Sequence, residues 1–376
     1  MSPSPTNDDV RRVVVVGPVS PIRSGVANHT TELVNALDER DDVEVRVVSF
    51  RRLFPRMLFP GERDRDAGAA PAIAVTPREV LDTLDPVSWD TAATLVIQAR
   101  PDLVVIPAWT FFVAPALASV ARAIRAADIE VVAVVHNAAD HDTAAWQQLL
   151  VERQLQHADR FVVHSQTMAD ELVGMGFTQP VTVHPHPVYD FATSDGEPLE
   201  RRGGLEMLFF GLVRPYKGLD TVAEAIHLLE RDDWYLRVVG EWWSPQPELR
   251  AQLEDPRVRD RVEIVDAYVP NDVVAQHFER ADVVLLPYHE VTGSGVLAQG
   301  WHFGTPVVAS DLPGLNEYVT PGHTGWTFPA GDSAELARLL DENVTPDAAR
   351  AMGAAVILRS KSFTFQGFTN PVLGPC

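Results

Sequence analysis

The chain repeats one pattern: short, almost continuous apolar runs separated by longer stretches with helical periodicity. The apolar runs predict buried strands at 11–17, 43–50, 102–109, 130–137, 160–165, 207–211, 235–241, 262–269, 282–288 and 306–310. The stretches between them predict helices at 25–40, 113–127, 143–157, 166–175, 218–231, 246–254, 271–280, 294–303 and 332–341. Val/Ile-rich strands that alternate with helices are typical of parallel sheets covered on both faces. We therefore expect an α/β protein built from doubly wound, Rossmann-like sheets.

The alternation is interrupted once, at 185–204, by a stretch rich in proline, glycine and charged residues. Because 376 residues exceed the size of one ordinary core, we expect two domains. They are a first Rossmann-like domain over 1–190, a linker over 191–204 and a second Rossmann-like domain over 205–345, facing a central cleft.

The remaining segment, 346–376, is expected to be an atypical tail. It has no acidic residue from Met352 to Cys376 and no clear hydrophobic period. A disordered terminus and a non-native end of the chain both explain this composition.

Charge excludes one class of partner. The formal net charge is −21 and the sequence pI is about 4.9, which argues against nucleic-acid binding. Only Lys217 and Lys361 are lysines. This composition suits a salt-rich cytoplasm, although a GC-rich genome would also replace lysine with arginine.

Three further patterns bear on location and metal chemistry. The chain has no apolar run long enough to cross a membrane, and its start lacks the apolar segment of a secretory signal. Its single cysteine, Cys376, excludes an internal disulfide framework and a multi-cysteine metal site. We expect a cytoplasmic protein.

Two basic residues follow the predicted strand at 207–211. Arg214 and Lys217 lie three residues apart at the expected start of a helix, where a guanidinium and an ammonium can bind a diphosphate without a metal. Solvation at the surface is the alternative. The scarcity of lysine in this chain favours the phosphate role.

Two glycine turns predict anion sites at helix starts. The backbone amides of Ser294, Gly295 and Val296, within TGSGV, precede a predicted helix. Gly25 opens a helix after the first strand, and its amide is expected to meet a phosphate or a developing charge. Plain turns remain the alternative at both places.

His136 ends a predicted strand, where a titratable ring can contact a substrate. A structural histidine is the alternative. Asn137 and His141 are near it in sequence, but a metal site there lacks a complementary cluster. Glu317 is expected either at the same ligand-binding edge of the second domain or as an acid at a helix N-terminus.

Several segments together resemble a known family. FGLVRPYKGLD, VVGE, GSGVLAQGWHFGTPVVASDLPGLNE and HTGW in the second half are similar to family 4 of the retaining, nucleotide-sugar-dependent glycosyltransferases with the GT-B fold. GVANHTTEL, PDLVVIPAW, HNAADH and VVHS extend the resemblance into the first half. It covers about 17–345.

The resemblance implies a mechanism. The first domain would bind the acceptor and the second the donor, an NDP-sugar, with retention of anomeric configuration and no cofactor. By this resemblance, Arg214 and Lys217 would bind the diphosphate, and Gly25 would correspond to the glycine turn of the family. His136 would orient the sugar or the acceptor.

The chain also departs from the family pattern. Leu212 stands where members usually carry an arginine, and Arg214 is the nearest substitute. The two glutamates of the family align with Val291, next to Glu290, and with Gln299. Gln299 can still hydrogen-bond the donor ribose, but without a carboxylate's charge.

These patterns support one main hypothesis and two alternatives. The main one is transfer of a hexose-like unit from an NDP-sugar to a glycan, lipid-linked or small-molecule acceptor. The segment 51–60, which mixes arginine with large apolar residues, is a candidate for peripheral contact with the inner face of a membrane. The alternatives are a catalytically impaired sugar-nucleotide-binding or scaffold protein, and a same-fold enzyme such as a sugar-nucleotide epimerase.

Overall fold

A computed structural model describes residues 10–55, 65, 72–137, 144–189, 199–242, 244–269 and 271–374, except for the side chains of 271 and 272. The chain divides into two compact units. The first unit runs to Pro185 and also includes the segment from Phe365 onward, and the second unit is His186–Thr364. The division therefore falls at Pro185, ahead of the expected boundary at 190.

The first unit is a seven-stranded parallel sheet in the order β3-β2-β1-β4-β5-β6-β7. Its strands are β1 (Arg11–Val16), β2 (Val43–Arg52), β3 (Arg78–Asp82), β4 (Leu103–Ala108), β5 (Glu130–Val135), β6 (Arg160–Val163) and β7 (Val181–Val183). Its helices are α1 (Gly25–Asp38), α2 (Pro86–Gln98), α3 (Ala114–Arg125), α4 (Ala145–Leu155) and α5 (Gln166–Gly174), with one more from the end of the chain.

The second unit is a six-stranded parallel sheet in the order β10-β9-β8-β11-β12-β13. Its strands are β8 (Leu205–Phe210), β9 (Trp234–Val239), β10 (Val262–Val265), β11 (Val283–Leu286), β12 (Val307–Ser310) and β13 (Gly325–Phe328). Its helices are α6 (Leu219–Ala225), α7 (Pro247–Leu253), α8 (Asn271–Arg280), α9 (Gly295–His302), α10 (Pro313–Asn316), α11 (Ser333–Glu342) and α12 (Pro346–Ser360).

Burial on both faces explains the unbroken apolar strands. In β8, Met207 and Phe209 belong to one buried apolar cluster, whereas Leu208 belongs to another. Since successive side chains of a strand point to opposite faces, the sheet has a core on each side. The prediction of parallel, doubly covered sheets is therefore correct for this unit. In β1, Val14 and Val16 belong to one buried apolar cluster, and Val13 and Val15 are buried as well.

The sequence pattern missed three strands, β3, β7 and β13. All three are edge strands, with a neighbour on one side only. The side chains of Val181–Val183, for example, are half-buried or exposed. An edge strand does not need the apolar composition of a central one, which explains the weak signal of β3 and β7. The edge strand β10 carries the apolar run VEIV and was predicted, whereas Gly325 and Thr327 interrupt the apolar pattern of the largely buried β13.

The expectation of a disordered tail is wrong for the described residues beyond 345. Thr345 caps α12, and the chain then forms α13 (Phe365–Leu373), which belongs to the first unit. Gly367 and Pro371 lower the intrinsic helix propensity of α13. Packing against α1 and burial of Phe368 override that propensity.

Arginines of the first unit fix the end of α13. Arg11 donates to the carbonyl of Leu373, and Arg160 donates to the carbonyls of Pro371 and Val372. Arg160 also pairs with Glu130, with 2.7 Å between Nε and the carboxylate. Cations that bind the last carbonyls of a helix satisfy groups that no intrahelical donor reaches.

A buried ion pair stabilises the start of the second sheet. Glu206 is 1% exposed and accepts from Arg237 at 2.8 Å, from the amide of Arg202 at 2.5 Å and from the amide of Gly203 at 2.8 Å. Arg280 lies 3.5 Å from the same carboxylate. The carboxylate therefore balances buried guanidinium charge and holds the segment that enters β8.

We expect Glu206→Ala to destabilise the protein by about 3–5 kcal/mol, because it leaves Arg237 buried without this partner. The matched control is Glu254→Ala, which removes an exposed pair with Arg250 and should cost about 0.5 kcal/mol or less. Urea unfolding followed by tryptophan fluorescence measures both. Equal effects of the two changes would contradict a structural role for the buried pair.

Candidate functional site

The strand order of the second unit places a crevice at the end of β8. The order reverses between β8 and β11, and ligands of open α/β sheets bind outside the carboxyl ends of strands at such a reversal. Gly211 follows β8 with a φ of +102°. Glycine adopts this backbone conformation without strain.

Lys217 lies directly against this glycine. A Cβ on Gly211 would be 2.8 Å from Lys217 Nζ and 3.8 Å from Val296 Cγ2. The 3₁₀ turn Pro215–Lys217 brings the lysine back toward the strand end. The absence of a side chain at Gly211 therefore lets the ammonium and the first turn of α9 approach the same point.

The surroundings of the Lys217 ammonium disfavour its positive charge. Burial lowers its pKa to about 8, and the nearby Arg214 guanidinium contributes to the shift. Arg214 itself is exposed. The structure thus brings the two predicted cations together, Lys217 half-buried and Arg214 exposed.

Tyr288 connects the lysine to α9, and the sequence analysis missed it. Lys217 Nζ lies 5.7 Å from the centre of the Tyr288 ring, a cation–π distance. The Tyr288 hydroxyl lies 3.3 Å from Ser294 Oγ. Burial raises the pKa of Tyr288, so the hydroxyl stays protonated. Its only sequence signal is its place just after a strand.

The predicted glycine turn does open a helix. Ser294 caps α9, its Oγ accepting from the amide of Leu297 at 3.3 Å. Gly295 lies close to His186: a Cβ there would be 3.1 Å from the His186 ring, so a side chain would require that ring to shift by a few tenths of an ångström. Burial lowers the pKa of His186 to about 4, so this ring is neutral. The sequence analysis had assigned no role to His186.

Gln299 lies one turn after Gly295 on α9 and is 3% exposed. Neither its amide oxygen nor its amide nitrogen has a hydrogen-bond partner among the described residues. A buried amide without partners costs about 1–3 kcal/mol, so such groups are usually satisfied by a ligand or water.

The other departures from the family pattern occupy different surroundings. Val291 is half-buried and packs against the apolar cluster that contains Tyr288, whereas Glu290 is exposed. Leu212 is half-buried. The expectation that Glu317 lies at a helix N-terminus is wrong, because Glu317 follows the last residue of α10.

The first unit has a comparable edge. Gly25 begins α1 immediately after the Ser24 cap, whose Oγ accepts from the amide of Ala27 at 2.9 Å. A Cβ on Gly25 would meet no described atom within 4 Å. Packing therefore does not require glycine at this position, which leaves room at the helix start.

His136 directly follows β5, and its amide donates to the carbonyl of Ala108 at 2.8 Å. Its ring is half-buried and packs against His29 of α1, with 4.6 Å between centroids. Because His29 is one turn after Gly25, the structure brings the two predicted first-domain positions near the same end of α1. Residues 138–143, including His141, lie outside the described residues.

The segment 51–60 is described only as far as Pro55. Arg51 and Arg52 both pair with Asp82, at 3.3 Å and 2.8 Å, and Leu53 is buried. Arg51 also pairs with Asp85 at 3.3 Å, so both guanidinium groups already lie beside protein carboxylates. Residues 56–60 lie outside the described part of the chain.

Two family models match the chain, one for each half. The model described as Glycosyltransferase Family 4 matches residues 23–190, and the model described as Glycosyl transferases group 1 matches residues 204–344. The chain belongs to glycosyltransferase family 4. The family resemblance stated from the sequence motifs is thereby confirmed.

Curated relatives of this family 4 member align over part of their length. It is 30% identical over 220 residues to a GDP-mannose:glycolipid 4-beta-D-mannosyltransferase of Xanthomonas campestris pv. campestris, covering 56% of this chain and 60% of that protein. It is 31% identical over 226 residues to a D-inositol 3-phosphate glycosyltransferase of Streptomyces scabiei, covering 55% and 51%. The chain thus matches about half to three-fifths of these relatives.

Solved structures match the fold of the whole family 4 chain. Sucrose-phosphate synthase from Thermosynechococcus elongatus has a TM-score of 0.74 at 16% identity, covering 96% of this chain and 98% of that one. The prediction of two Rossmann-like domains of the GT-B class is therefore confirmed. Within the described residues, no helix combines the length and hydropathy that a membrane crossing needs.

We expect Lys217 to titrate at about pH 8 in the free protein and at a higher pH with a nucleoside diphosphate bound, because the anion favours the charged form. Affinity for the diphosphate should therefore fall as the pH rises through 8. Only two lysines are present, so ¹³C-labelled lysine gives a two-signal NMR titration, which Lys361→Ala assigns. If the pKa read from the Lys217 signal is the same with and without the nucleoside diphosphate, Lys217 does not contact the diphosphate.

Proposed function

We propose that the protein transfers a sugar from an NDP-sugar to a glycan, lipid-linked or small-molecule acceptor. The observation that carries the proposal is the Lys217 ammonium, enclosed beside Gly211 next to the start of α9. The names of the relatives, one of which includes GDP-mannose, support an NDP-sugar donor.

The donor diphosphate is the group that this site fits best. Burial and Arg214 both disfavour the charge of Lys217, and no described carboxylate forms an ion pair with it. A diphosphate supplies the missing negative charge and also accepts from the first amides of α9, at Gly295 and Val296. The same contacts stabilise the diphosphate as it leaves.

Gln299 supplies a neutral contact to the same donor. Its buried amide has both a donor and an acceptor to offer to sugar hydroxyls, and no described residue satisfies them. We assign it to the donor ribose. This contact is weaker than a carboxylate's, because it lacks charge assistance.

The first unit is proposed to bind the acceptor. His136 orients the acceptor or the transferred sugar from the end of β5, while the amide of Gly25 meets the reacting groups at the start of α1. Retention of configuration is part of this proposal, and the anomeric coupling constants of the product test it.

No bound metal is needed in this scheme, since Arg214, Lys217 and the α9 amides balance the diphosphate. We place the reaction in the cytoplasm, and at the inner face of the membrane where the acceptor is lipid-linked. Direct membrane contact through 51–60 would have to come from residues other than Arg51 and Arg52, which are paired with carboxylates.

The alternative is a sugar-nucleotide-binding protein with little or no transfer activity. It is favoured by the apolar surroundings of Val291, where the family pattern has a carboxylate near the transferred sugar. Binding of an NDP-sugar without release of NDP, in the presence of a range of acceptors, would support this alternative.

A panel of UDP-, GDP-, ADP- and dTDP-sugars, assayed by NDP release with and without acceptors, tests the main proposal. We expect at least one donor to turn over, and Lys217→Ala to lower kcat/KM by about 100-fold or more through lost charge stabilisation. Lys361→Ala removes the only other lysine, outside the proposed site, and should leave turnover unchanged. An unchanged kcat/KM in Lys217→Ala would contradict the assignment of Lys217 to the diphosphate.

Gly25→Ala should leave folding intact and lower activity by about tenfold or more, because the added methyl group occupies the space through which a ligand approaches the α1 amides. The matched control is Gly174→Ala in α5, where a Cβ also meets no described atom within 4 Å. Thermal unfolding and initial rates compare the two. Full activity in Gly25→Ala would show that no ligand approaches this helix start closely.

A further inference from the structure

Three histidines of the first unit form a contiguous layer, here called the histidine layer: His29, His136 and His164. Ring centroids are 4.6 Å apart for His29–His136, 5.0 Å for His29–His164 and 5.3 Å for His136–His164. His29 and His164 are 1% and 3% exposed. His29 thus lies between the candidate catalytic ring and the interior of the unit.

The last helix of the chain covers this layer. Phe365 and Phe368 of α13 lie 5.1 Å and 5.2 Å from the His29 ring, and Phe368 also lies 5.3 Å from His164. Arg11 and Arg160 fix the end of this helix through its carbonyls. Both phenylalanine rings therefore pack against His29, in addition to the His136 and His164 rings.

The geometry of the His29–His136 contact bears on ring orientation. The two rings are nearly perpendicular, at 84°, the edge-to-face arrangement that aromatic rings favour. The torsion that turns a histidine ring about its Cβ–Cγ bond has only broad minima, so neighbouring groups decide the orientation. A catalytic ring must be held within about 10–20° of its productive orientation.

We propose that His29 is a positioning residue for His136, and that α13 acts on the reaction by holding His29 in place. This inference rests on the role given to His136 in the proposed function. The contact between rings is what matters, so a different flat ring at position 29 should serve, whereas a small side chain should not.

The test compares His29→Ala with His29→Phe, and with Phe177→Ala as the matched control. Phe177 makes an edge contact with Phe161 in the same unit, 5.4 Å between centroids, and does not touch the histidine layer. We expect His29→Ala to lower kcat by about tenfold or more through loss of orientation, with the donor KM nearly unchanged. His29→Phe and Phe177→Ala should keep most of the wild-type kcat.

A spectroscopic readout separates positioning from folding. Histidine ring ¹H–¹³C spectra, in which His136→Gln identifies the His136 signal, should show that signal shifted or broadened in His29→Ala and near its wild-type position in Phe177→Ala. Phe368→Ala should change it in the same direction to a smaller extent. If His29→Ala does not fold, the His136 signal and kcat are compared between Phe368→Ala and His29→Phe instead.

Two results would overturn the proposal: an unchanged His136 signal in folded His29→Ala, or equal loss of kcat in His29→Ala and His29→Phe. The second would assign the effect to the ring nitrogens rather than to packing. Failure of the proposed function is distinct, because the wild-type protein would then release no NDP from any donor, while the ring spectra would still report on the contact.

Discussion

Strand-order reversal is the constraint on which the candidate site depends. In each unit the chain builds strands to one side of its first strand, then crosses over and builds to the other side. The helices that follow the strands flanking the reversal lie on opposite faces, so their starts leave a crevice. In the second unit the residues around that crevice come from two loops far apart in sequence, Gly211 and Lys217 from the loop after β8, and Tyr288 and Ser294 from the loop after β11. If each strand had been placed on the same side of the one before it, the strand order would not reverse, and neither sheet would have this crevice.

The enclosed lysine gives the second unit a built-in preference for an anion. Burial makes the ammonium of Lys217 harder to keep charged, and Arg214 adds repulsion. An arrangement of this kind is unfavourable in the empty protein, and an anion such as the proposed diphosphate would relieve it, so that part of the electrostatic cost would be recovered on binding. The glycine at 211 matters because a side chain there would displace the ammonium from the strand end.

Much of the fold could be predicted because central parallel strands must be apolar on both faces, as in β8 and β11. The edge strands β3 and β7 were missed because that requirement does not apply to them, and β13 was missed because Gly325 and Thr327 interrupt its apolar pattern. The helix α13 was not predicted because Gly367 and Pro371 lower its helix propensity. Its packing against α1, which the sequence pattern does not reveal, stabilises it. In the candidate site, charge and glycine patterns indicated Lys217 and Gly295, which the structure places near each other, whereas Tyr288 and His29 could not be separated by sequence from ordinary core aromatics. Their roles come from neighbours that are distant along the chain.

The placement of α13 has a consequence for synthesis. The first unit is built from two segments that the whole second unit separates along the chain. During translation its sheet can assemble early, but the surface that α13 covers stays open until the second unit, and then Phe365–Leu373, have left the ribosome. The rings of His29 and His164 would be exposed on that nascent intermediate. A chain whose synthesis stops before Phe365 would therefore have a second unit that can fold and a first unit that is unfinished.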